Sequence, residues 1–228
     1  MTARPARIVL FDVDGTLIDT GGAGGRSWSH AFVEAFGVVG DIRRFSEVGM
    51  TDPVVARQTF EGTMGREATT DEVIRLMMRY VLRLPVEVAT SPGYRVMPGV
   101  ESLLQRLVEA DTLLGLVTGN IEGAAHIKIS RAGLGKYFLF GGYGSDSSVR
   151  SDLTLAAIAR AEALHGHDVE PSEVMVVGDT PRDVEAAHGA GAIAVGVATG
   201  EYTVGQLADA GADHVLNSFE EDPFPQLS

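Results

Sequence analysis

The chain has 228 residues, of which 45% are hydrophobic, and a formal net charge of −13 at pH 7. This length suffices for one large domain or for a core with a smaller insert, and the acidic balance argues against a nucleic-acid or acidic-membrane partner. With no cysteine, the chain has no disulfides, thiolate metal sites or cysteine nucleophiles, so oxygen ligands are left, and these favour Mg²⁺ over zinc.

Targeting and membrane signals are not found in the sequence. No apolar stretch approaches the ~20 residues that span a bilayer. Residues 1–7 lack the apolar segment of a signal peptide. We therefore expect a cytoplasmic protein.

The first predicted element is a buried strand, Ile8 to Phe11, which ends in Asp12-Val13-Asp14-Gly15-Thr16. Side chains two apart on an extended segment point the same way, so Asp12 and Asp14 should face one crevice at the carboxyl end of this strand. Two carboxylates so close predict a metal site or an acid with a shifted pKa. The alternative is a turn in which Asp14-Gly15-Thr16 only closes a loop.

The next segment predicts an all-helical insert. The glycine cluster at 21–25 is interpreted as a hinge, since it lacks the lysine and hydroxyl residue of a P-loop. From residue 26 to about residue 92, apolar residues recur at helical spacing and no convincing strand is found. Candidates to contact a substrate there are Arg43, Arg44, Arg57 and the turn Gly49-Met50-Thr51-Asp52, although most arginines are simply exposed.

From Met97 onward, helices alternate with buried strands. The predicted helices are Val100 to Val108, Ile121 to Ala132, Leu153 to Leu164 and Pro181 to about Gly189, and the predicted strands are Leu113 to Val117, Tyr137 to Phe140, Val174 to Val177, Ile193 to Val197 and His214 to Leu216. This alternation predicts an α/β fold, a Rossmann-like parallel sheet with helices on both faces. Residues 1–18 and 93–228 would form this core, and residues 19–92 the all-helical insert.

Two later strands also end in polar residues. One is followed by Thr118-Gly119-Asn120, whose hydroxyl and amides, at the start of a helix, suit an anion; Thr118 as a simple N-cap is the alternative. The other ends in Gly178-Asp179-Thr180-Pro181-Arg182-Asp183. Asp179 and Asp183, four apart on a turn entering a helix, lie on one side, although Asp183 could instead only complement the helix dipole.

In this order and spacing, the three strand ends resemble the haloacid dehalogenase-like hydrolase superfamily, with its DxDGT and GDxxxD signatures. The resemblance covers all but the last few residues. It implies that Asp12 is the nucleophile and that Asp14 is the general acid and base, with its main-chain carbonyl on the metal. It further implies that Asp179 is a third Mg²⁺ ligand and Asp183 a supporting carboxylate. Thr16 is expected to buttress the catalytic loop.

The basic residue of the superfamily is where this sequence departs from the pattern. Many relatives carry a lysine followed by proline before the helix that precedes GDxxxD, and here the corresponding stretch, 147–152, contains Arg150. Lys128 is the only nearby lysine, about two turns into the helix after Thr118. We favour Arg150 as the cation that stabilises the phosphoryl group, with Lys128 as the alternative.

The resemblance implies a Mg²⁺-dependent phosphatase that acts on a small phosphorylated metabolite through an aspartyl-phosphate, most like the phosphoglycolate phosphatase branch. A phosphomutase like the β-phosphoglucomutase branch shares every motif and stays open. A non-catalytic phosphate-binding protein is less favoured, since all four acidic residues are present. The helical segment is similar to the cap of such hydrolases, which would limit access to small substrates. Whether the protein is a monomer or a homodimer is left open.

Overall fold

The computed structural model describes residues 7–225. Residues 1–6 and 226–228, which were predicted to belong to the core, lie outside the described residues. So does most of the segment 1–7 that was inspected for a signal peptide. The strands are β1 (Arg7–Phe11), β2 (Ile18–Thr20), β3 (Tyr94–Val96), β4 (Thr112–Thr118), β5 (Phe140–Tyr143), β6 (Val174–Gly178), β7 (Ile193–Val197) and β8 (His214–Leu216). The helices are α1 (Ala23–Phe36), α2 (Ile42–Phe45), α3 (Asp52–Met64), α4 (Thr70–Thr90), α5 (Val100–Glu109), α6 (Glu122–Ser130), α7 (Arg150–His165), α8 (Pro181–Gly189) and α9 (Val204–Asp209).

Six of the strands form a parallel sheet in the order β5-β4-β1-β6-β7-β8, which confirms the predicted fold class. The first strand lies in the middle, and its last residue, Phe11, is level with Leu116 of β4 and Val177 of β6. The chain builds the sheet outward from β1 on one side and then on the other. Such a reversal opens a crevice at the carboxyl ends of the strands, where ligands bind in this class of fold.

The central strand is buried on both faces because its side chains point alternately to the two faces of the sheet and those of residues 8–11 are all apolar. Val9 and Phe11 join one hydrophobic cluster, with α5 and α6, while Ile8 and Leu10 join the other, with α7 and α8. All four side chains are fully buried. Replacing a buried phenylalanine such as Phe11 with alanine would cost about 3–5 kcal/mol, so β1 contributes strongly to the stability of the sheet that carries the site.

Residues 23–90, here called the helical insert, contain α1 to α4 and no strand. Their apolar faces form a third cluster in which the rings of Trp28 and Tyr80 stack 4.2 Å apart. Ala124 of α6 belongs to the same cluster, so the insert packs onto the sheet domain as well as onto itself. Gly24 and Gly25 lie inside α1, and of the glycine cluster only Gly21 and Gly22 precede the helix.

The insert leaves and rejoins the sheet domain through a two-stranded antiparallel ribbon. Ile18 of β2 pairs with Val96 of β3, and Thr20 pairs with Tyr94. The boundary predicted between residues 18 and 19 falls within β2. Arg131, which directly follows α6, donates hydrogen bonds of 2.6 and 2.7 Å to the carbonyls of Val88 and Ser91, close to the point where the insert returns to the sheet domain.

The strand predicted at 137–140 is wrong by about three residues, because Leu134–Tyr137 forms a 3₁₀ helix and β5 begins at Phe140. The sequence of β5, Phe-Gly-Gly-Tyr, has low strand propensity. Packing requires its glycines, since a Cβ on Gly142 would lie 1.8 Å from the carbonyl oxygen of Leu153. Among the described residues, no helix is long and apolar enough to cross a membrane.

Candidate active site

The ends of β1, β4 and β6 meet at one edge of the sheet, beneath the helical insert. Between them lies a cavity of about 630 Å³. The sheet domain lines it with Asp12, Asp14, Thr118, Asn120, Lys128 and Arg150, and the insert lines it with Trp28, Ile42, Arg43, Met50 and Tyr80, among others. Thr180, which follows β6, lines it as well, so residues from all three strand ends are neighbours.

Asp12, Asp179 and Asp183 form a buried cluster in which carboxylate oxygens, one from each residue, lie within 4.8 Å of one another. Burial and the neighbouring Asp183 raise the pKa of Asp12 to about 7, and the same two causes, with Asp12, raise the pKa of Asp179 to about 8. These carboxylates resist ionisation together unless a cation offsets their repulsion. Oxygen ligands in this number fit a hard divalent cation such as Mg²⁺.

Two hydroxyls and one arginine orient this cluster. Thr16 donates a 3.0 Å hydrogen bond to Oδ1 of Asp179, which joins the loop after β1 to the end of β6. Asp183 accepts from the backbone and side chain of Thr180 at 3.0 and 2.7 Å, which caps α8, and its other oxygen accepts from Arg150. Asp183 is thus both a member of the acidic cluster and part of the capping box in the first turn of α8.

Arg150 is the first residue of α7 and lies beside Asp12. Its Nη2 is 3.7 Å from Oδ1 of Asp12 and is bonded to Asp183. Its Nη1 donates a 2.8 Å hydrogen bond to the carbonyl of Gly49 in the insert. The arginine side chain is 11% exposed, so its charge is close to the cluster and shielded from water.

Lys128 lies beside the other aspartate of the first strand end. Its Nζ donates to Oδ2 of Asp14 at 2.6 Å and to Oδ1 of Asn120 at 2.5 Å. The amide nitrogen of Asn120 donates to the same oxygen of Asp14 and to Oγ1 of Thr118, both at 2.8 Å. Arg150 and Lys128 therefore serve different carboxylates, Asp12 and Asp14 respectively.

The family model described as haloacid dehalogenase-like hydrolase matches residues 9–197. The chain belongs to this family. The phosphoglycolate phosphatase of Agrobacterium fabrum is 29% identical over 225 residues, covering 96% of this chain and 92% of that protein. Among solved structures, CbbY from Rhodobacter sphaeroides in complex with phosphate has a TM-score of 0.75 at 19% identity, covering 95% of this chain and 96% of that one. A putative β-phosphoglucomutase from Bacteroides vulgatus has a TM-score of 0.69 at 21% identity, covering 95% and 86%.

These relatives bear on the activity and the fold separately. The family match makes the chain a hydrolase, and together with the phosphatase relatives it indicates a phosphatase. The two solved structures, both below 25% identity, support the fold alone.

In this haloacid dehalogenase-like hydrolase, Gly119 and Asn120 do not begin a helix, contrary to expectation. The helix after them starts at Glu122, and Thr118 is not its N-cap. The reason is a contact from the insert. The carboxylate of Asp52 accepts a 2.9 Å hydrogen bond from the backbone N–H of Ile121, and the backbone N–H of Asp52 donates a 2.7 Å hydrogen bond to the carbonyl of Gly119. The insert thus occupies the amino end of α6.

Of the three arginines considered for substrate contact, one lines the cavity. Arg43 does so from α2 of the insert. Arg57 instead donates to the carbonyl of Ala68, and Arg44 lies over the ring of Phe45. The turn that contains Asp52 also reaches the cavity, through Gly49 and Met50.

Sequence reasoning missed a contact that follows β7 of this hydrolase. Thr199 donates a 2.6 Å bond to the carbonyl of Gly15, and a Cβ on Gly200 would lie 1.8 Å from Oδ2 of Asp179. The signal available was its position, directly after a buried strand whose carboxyl end meets the same edge. Tyr80 of α4 was not singled out either, although it is both fully buried and part of the cavity wall.

Proposed function

We propose that this protein is a Mg²⁺-dependent phosphatase that hydrolyses a small-molecule phosphate monoester through an aspartyl-phosphate on Asp12. The observation that carries this proposal is the environment of Asp12. Its carboxylate is buried at the end of the central strand, 3.7 Å from Arg150, and within 4.8 Å of carboxylate oxygens of Asp179 and Asp183. A nucleophile that attacks an anionic phosphoryl group needs positive charge at this point.

The first step forms a bond between a carboxylate oxygen of Asp12 and phosphorus. The bond from phosphorus to the ester oxygen breaks, and its electron pair leaves with that oxygen, which takes a proton from Asp14. In the second step, water attacks phosphorus and gives its proton to Asp14, and the carboxylate of Asp12 is released. Asp14 suits both transfers because it lines the cavity two residues after Asp12.

The remaining residues hold the phosphoryl group. Thr118, with the amides of Gly119 and Asn120, supplies donors at the end of β4, and Arg150 offsets the repulsion between Asp12 and the substrate. Asp12 and Asp179 would hold Mg²⁺, together with the main-chain carbonyl of Asp14 and with Asp183 in support. The bound ion would neutralise charge on the phosphoryl oxygens.

In this proposal residues 19–92, which contain the helical insert, form a cap domain. Hydrogen bonds that join the insert to the loop after β4 and to Arg150 support this assignment. A cavity roofed by helices suits a small phosphorylated metabolite better than a nucleic acid or a protein. Phosphoglycolate, the substrate in the relatives' name, is the first compound to test.

The test is phosphate release from a panel of metabolites with and without Mg²⁺, combined with acid quenching to trap the phosphoenzyme. Wild-type protein should release phosphate and carry an acid-stable, hydroxylamine-sensitive phosphoryl group, whereas Asp12→Asn should do neither. Interconversion of sugar phosphates without net release would instead identify the phosphomutase alternative. Release that is unchanged in Asp12→Asn would rule out the covalent route.

A further inference from the structure

Lys128 is a buried lysine for which the proposed mechanism has no role. Its side chain is 8% exposed, whereas lysines are almost never buried unless they are paired. Here the pairing partners are Asp14 and Asn120, which both line the cavity. The position near the nucleophile is taken by Arg150, so a second phosphate-stabilising cation is not what this geometry provides.

The two donors on Asp14 converge on a single oxygen. Lys128 and the amide nitrogen of Asn120 both donate to Oδ2, at 2.6 and 2.8 Å. Within residues 7–225, Oδ1 of Asp14 accepts no hydrogen bond, and the side chain is 41% exposed. The carboxylate is therefore fixed at one oxygen, and the other is available to a ligand in the cavity.

Lys128 also determines which way the amide of Asn120 faces. An ammonium group has three donors and no acceptor, so it must meet the amide oxygen of Asn120. The amide nitrogen is then turned toward Asp14 and Thr118, as the distances show. Without the lysine, the amide could rotate and place its oxygen against the carboxylate, which would release Asp14.

We propose that Lys128 is a positioning residue for Asp14: with Asn120 it anchors Oδ2, so that Oδ1 meets the oxygen of the leaving group. This inference rests on the proposed function, in which Asp14 transfers the proton to that oxygen. Lys128 then acts on the departure of the leaving group and not on the binding of the phosphoryl group. The substrates that depend on it are those whose leaving oxygen needs a proton.

The experiment compares two substrates that differ in this need. An alkyl phosphate leaves as a basic alkoxide and requires the proton, whereas 4-nitrophenyl phosphate leaves as a stabilised phenolate and does not. General acid catalysis typically contributes about 10²–10⁴-fold. Lys128→Met should therefore lower kcat/KM for the alkyl phosphate by about 100-fold or more and that for 4-nitrophenyl phosphate by less than about 5-fold. Asp14→Asn should show the same selectivity, and the double variant should lose little more.

Lys136, the chain's other lysine, gives the matched control, since it is exposed beside Tyr137. Lys136→Met should leave both substrates unaffected. Equal losses on both substrates in Lys128→Met would overturn the inference while leaving the phosphatase intact. A wild-type protein that hydrolyses neither substrate with Mg²⁺ would overturn both proposals.

A second variant covers the case in which Lys128→Met does not fold. Asn120→Ala removes one of the two donors on Oδ2 and leaves the bond between Lys128 and Asp14 in place. It should also lower turnover of the alkyl phosphate more than that of 4-nitrophenyl phosphate, by a smaller ratio. Because any effect on phosphoryl binding through Thr118 is common to both substrates, equal losses here would contradict the inference as well.

Discussion

Arg150 and Gly49 are joined by a 2.8 Å hydrogen bond from the guanidinium to the main-chain oxygen, across the junction of the sheet domain and the helical insert. The same guanidinium lies 3.7 Å from Asp12 and bonds to Asp183. One side chain therefore links the position of the insert to the charge at the nucleophile. The guanidinium makes these contacts through two nitrogens, Nη1 on Gly49 and Nη2 on the aspartates, whereas a lysine would have to make them from a single point charge.

The first prediction concerns this arginine. Arg150→Ala should lower kcat/KM for 4-nitrophenyl phosphate by about 10²–10³-fold, because positive charge near the phosphoryl group is lost. Arg150→Lys should recover only part of this, since it keeps the charge but not the bond to Gly49. Arg106→Ala, at an exposed site on α5, is the control. A near-neutral Arg150→Ala beside an inactive Lys128→Met would transfer the role to Lys128.

The second prediction concerns Asp12. Asp12→Asn should abolish turnover, yet raise the melting temperature of the metal-free protein by a few degrees, which corresponds to about 1 kcal/mol. The reason is that burial and Asp183 hold the pKa of Asp12 near 7, so its ionised form destabilises the fold. Thermal unfolding in EDTA tests this, with the exposed Asp209→Asn as control. A lower melting temperature for Asp12→Asn would contradict the argument.

The third prediction is metal dependence. Chelation should abolish activity and added Mg²⁺ should restore it. Because the ion binds the folded state, Mg²⁺ at 100 times its Kd should stabilise the protein by about 2.7 kcal/mol. Asp179→Asn should lose most of this stabilisation, which calorimetry with and without Mg²⁺ measures. Full activity after exhaustive dialysis against EDTA would exclude the metal.

The fourth prediction uses Asp52, whose pKa is raised by burial to about 6 from its ordinary value of 3.8. The folded protein holds this proton more tightly than the unfolded chain does. The resulting stabilisation is complete below about pH 4 and is lost as the pH rises through 6. Asp52→Asn, which keeps an oxygen for the N–H of Ile121 but carries no charge, should therefore be more stable than wild type at pH 8, by up to roughly 3 kcal/mol.

Urea unfolding of both proteins at pH 4 and pH 8 measures this difference. The gain from Asp52→Asn should appear at pH 8 and vanish at pH 4. The same difference at both values would mean that ionisation of Asp52 has no effect on stability.

The fifth prediction concerns the close contact between the insert and the loop after β4. A Cβ on Gly119 would lie 2.5 Å from the carbonyl oxygen of Met50 and 3.0 Å from Nη1 of Arg150. Gly119→Ala should therefore displace the insert and lower kcat/KM by at least about 10-fold, the effect of losing about 1.4 kcal/mol. Gly135→Ala, where a Cβ meets nothing within 4 Å, should be neutral. Equal activity of the two variants would show that the contact is not needed.

Much of the fold could be predicted because β1, β4 and β6 are continuous apolar runs that end in polar residues. A parallel sheet brings such ends to one edge, so Asp12, Thr118 and Asp179 could be grouped without knowing any distance. The prediction misplaced the strand that begins at Phe140. The glycines of this strand allow its close contact with α7, and contacts between distant segments leave no local pattern in the sequence.

Within the site, the contacts between the insert and the core were not predictable from local pattern. Asp52 accepts a hydrogen bond from the N–H of Ile121, 69 positions later in the chain, and Lys128 donates one to Asp14, 114 positions earlier. Helical side chains tilt toward the amino end of their helix, which brings Lys128 toward the strand ends but does not tell which carboxylate it would meet there. The spacing of the motifs therefore identified the acidic residues, whereas only the packed structure shows that Arg150 lies beside Asp12 and Lys128 beside Asp14.

The ribbon formed by β2 and β3 makes the insert an exchangeable module. Since Thr20 and Tyr94 are paired neighbours, the chain leaves and re-enters the sheet domain at almost the same point. A two-residue Asn-Gly turn could close this hairpin in place of residues 21–93. Recombination at these two positions could then replace one helical insert with another while β1 and its aspartates stay unchanged. Substrate preference and catalytic chemistry would thereby become separately heritable.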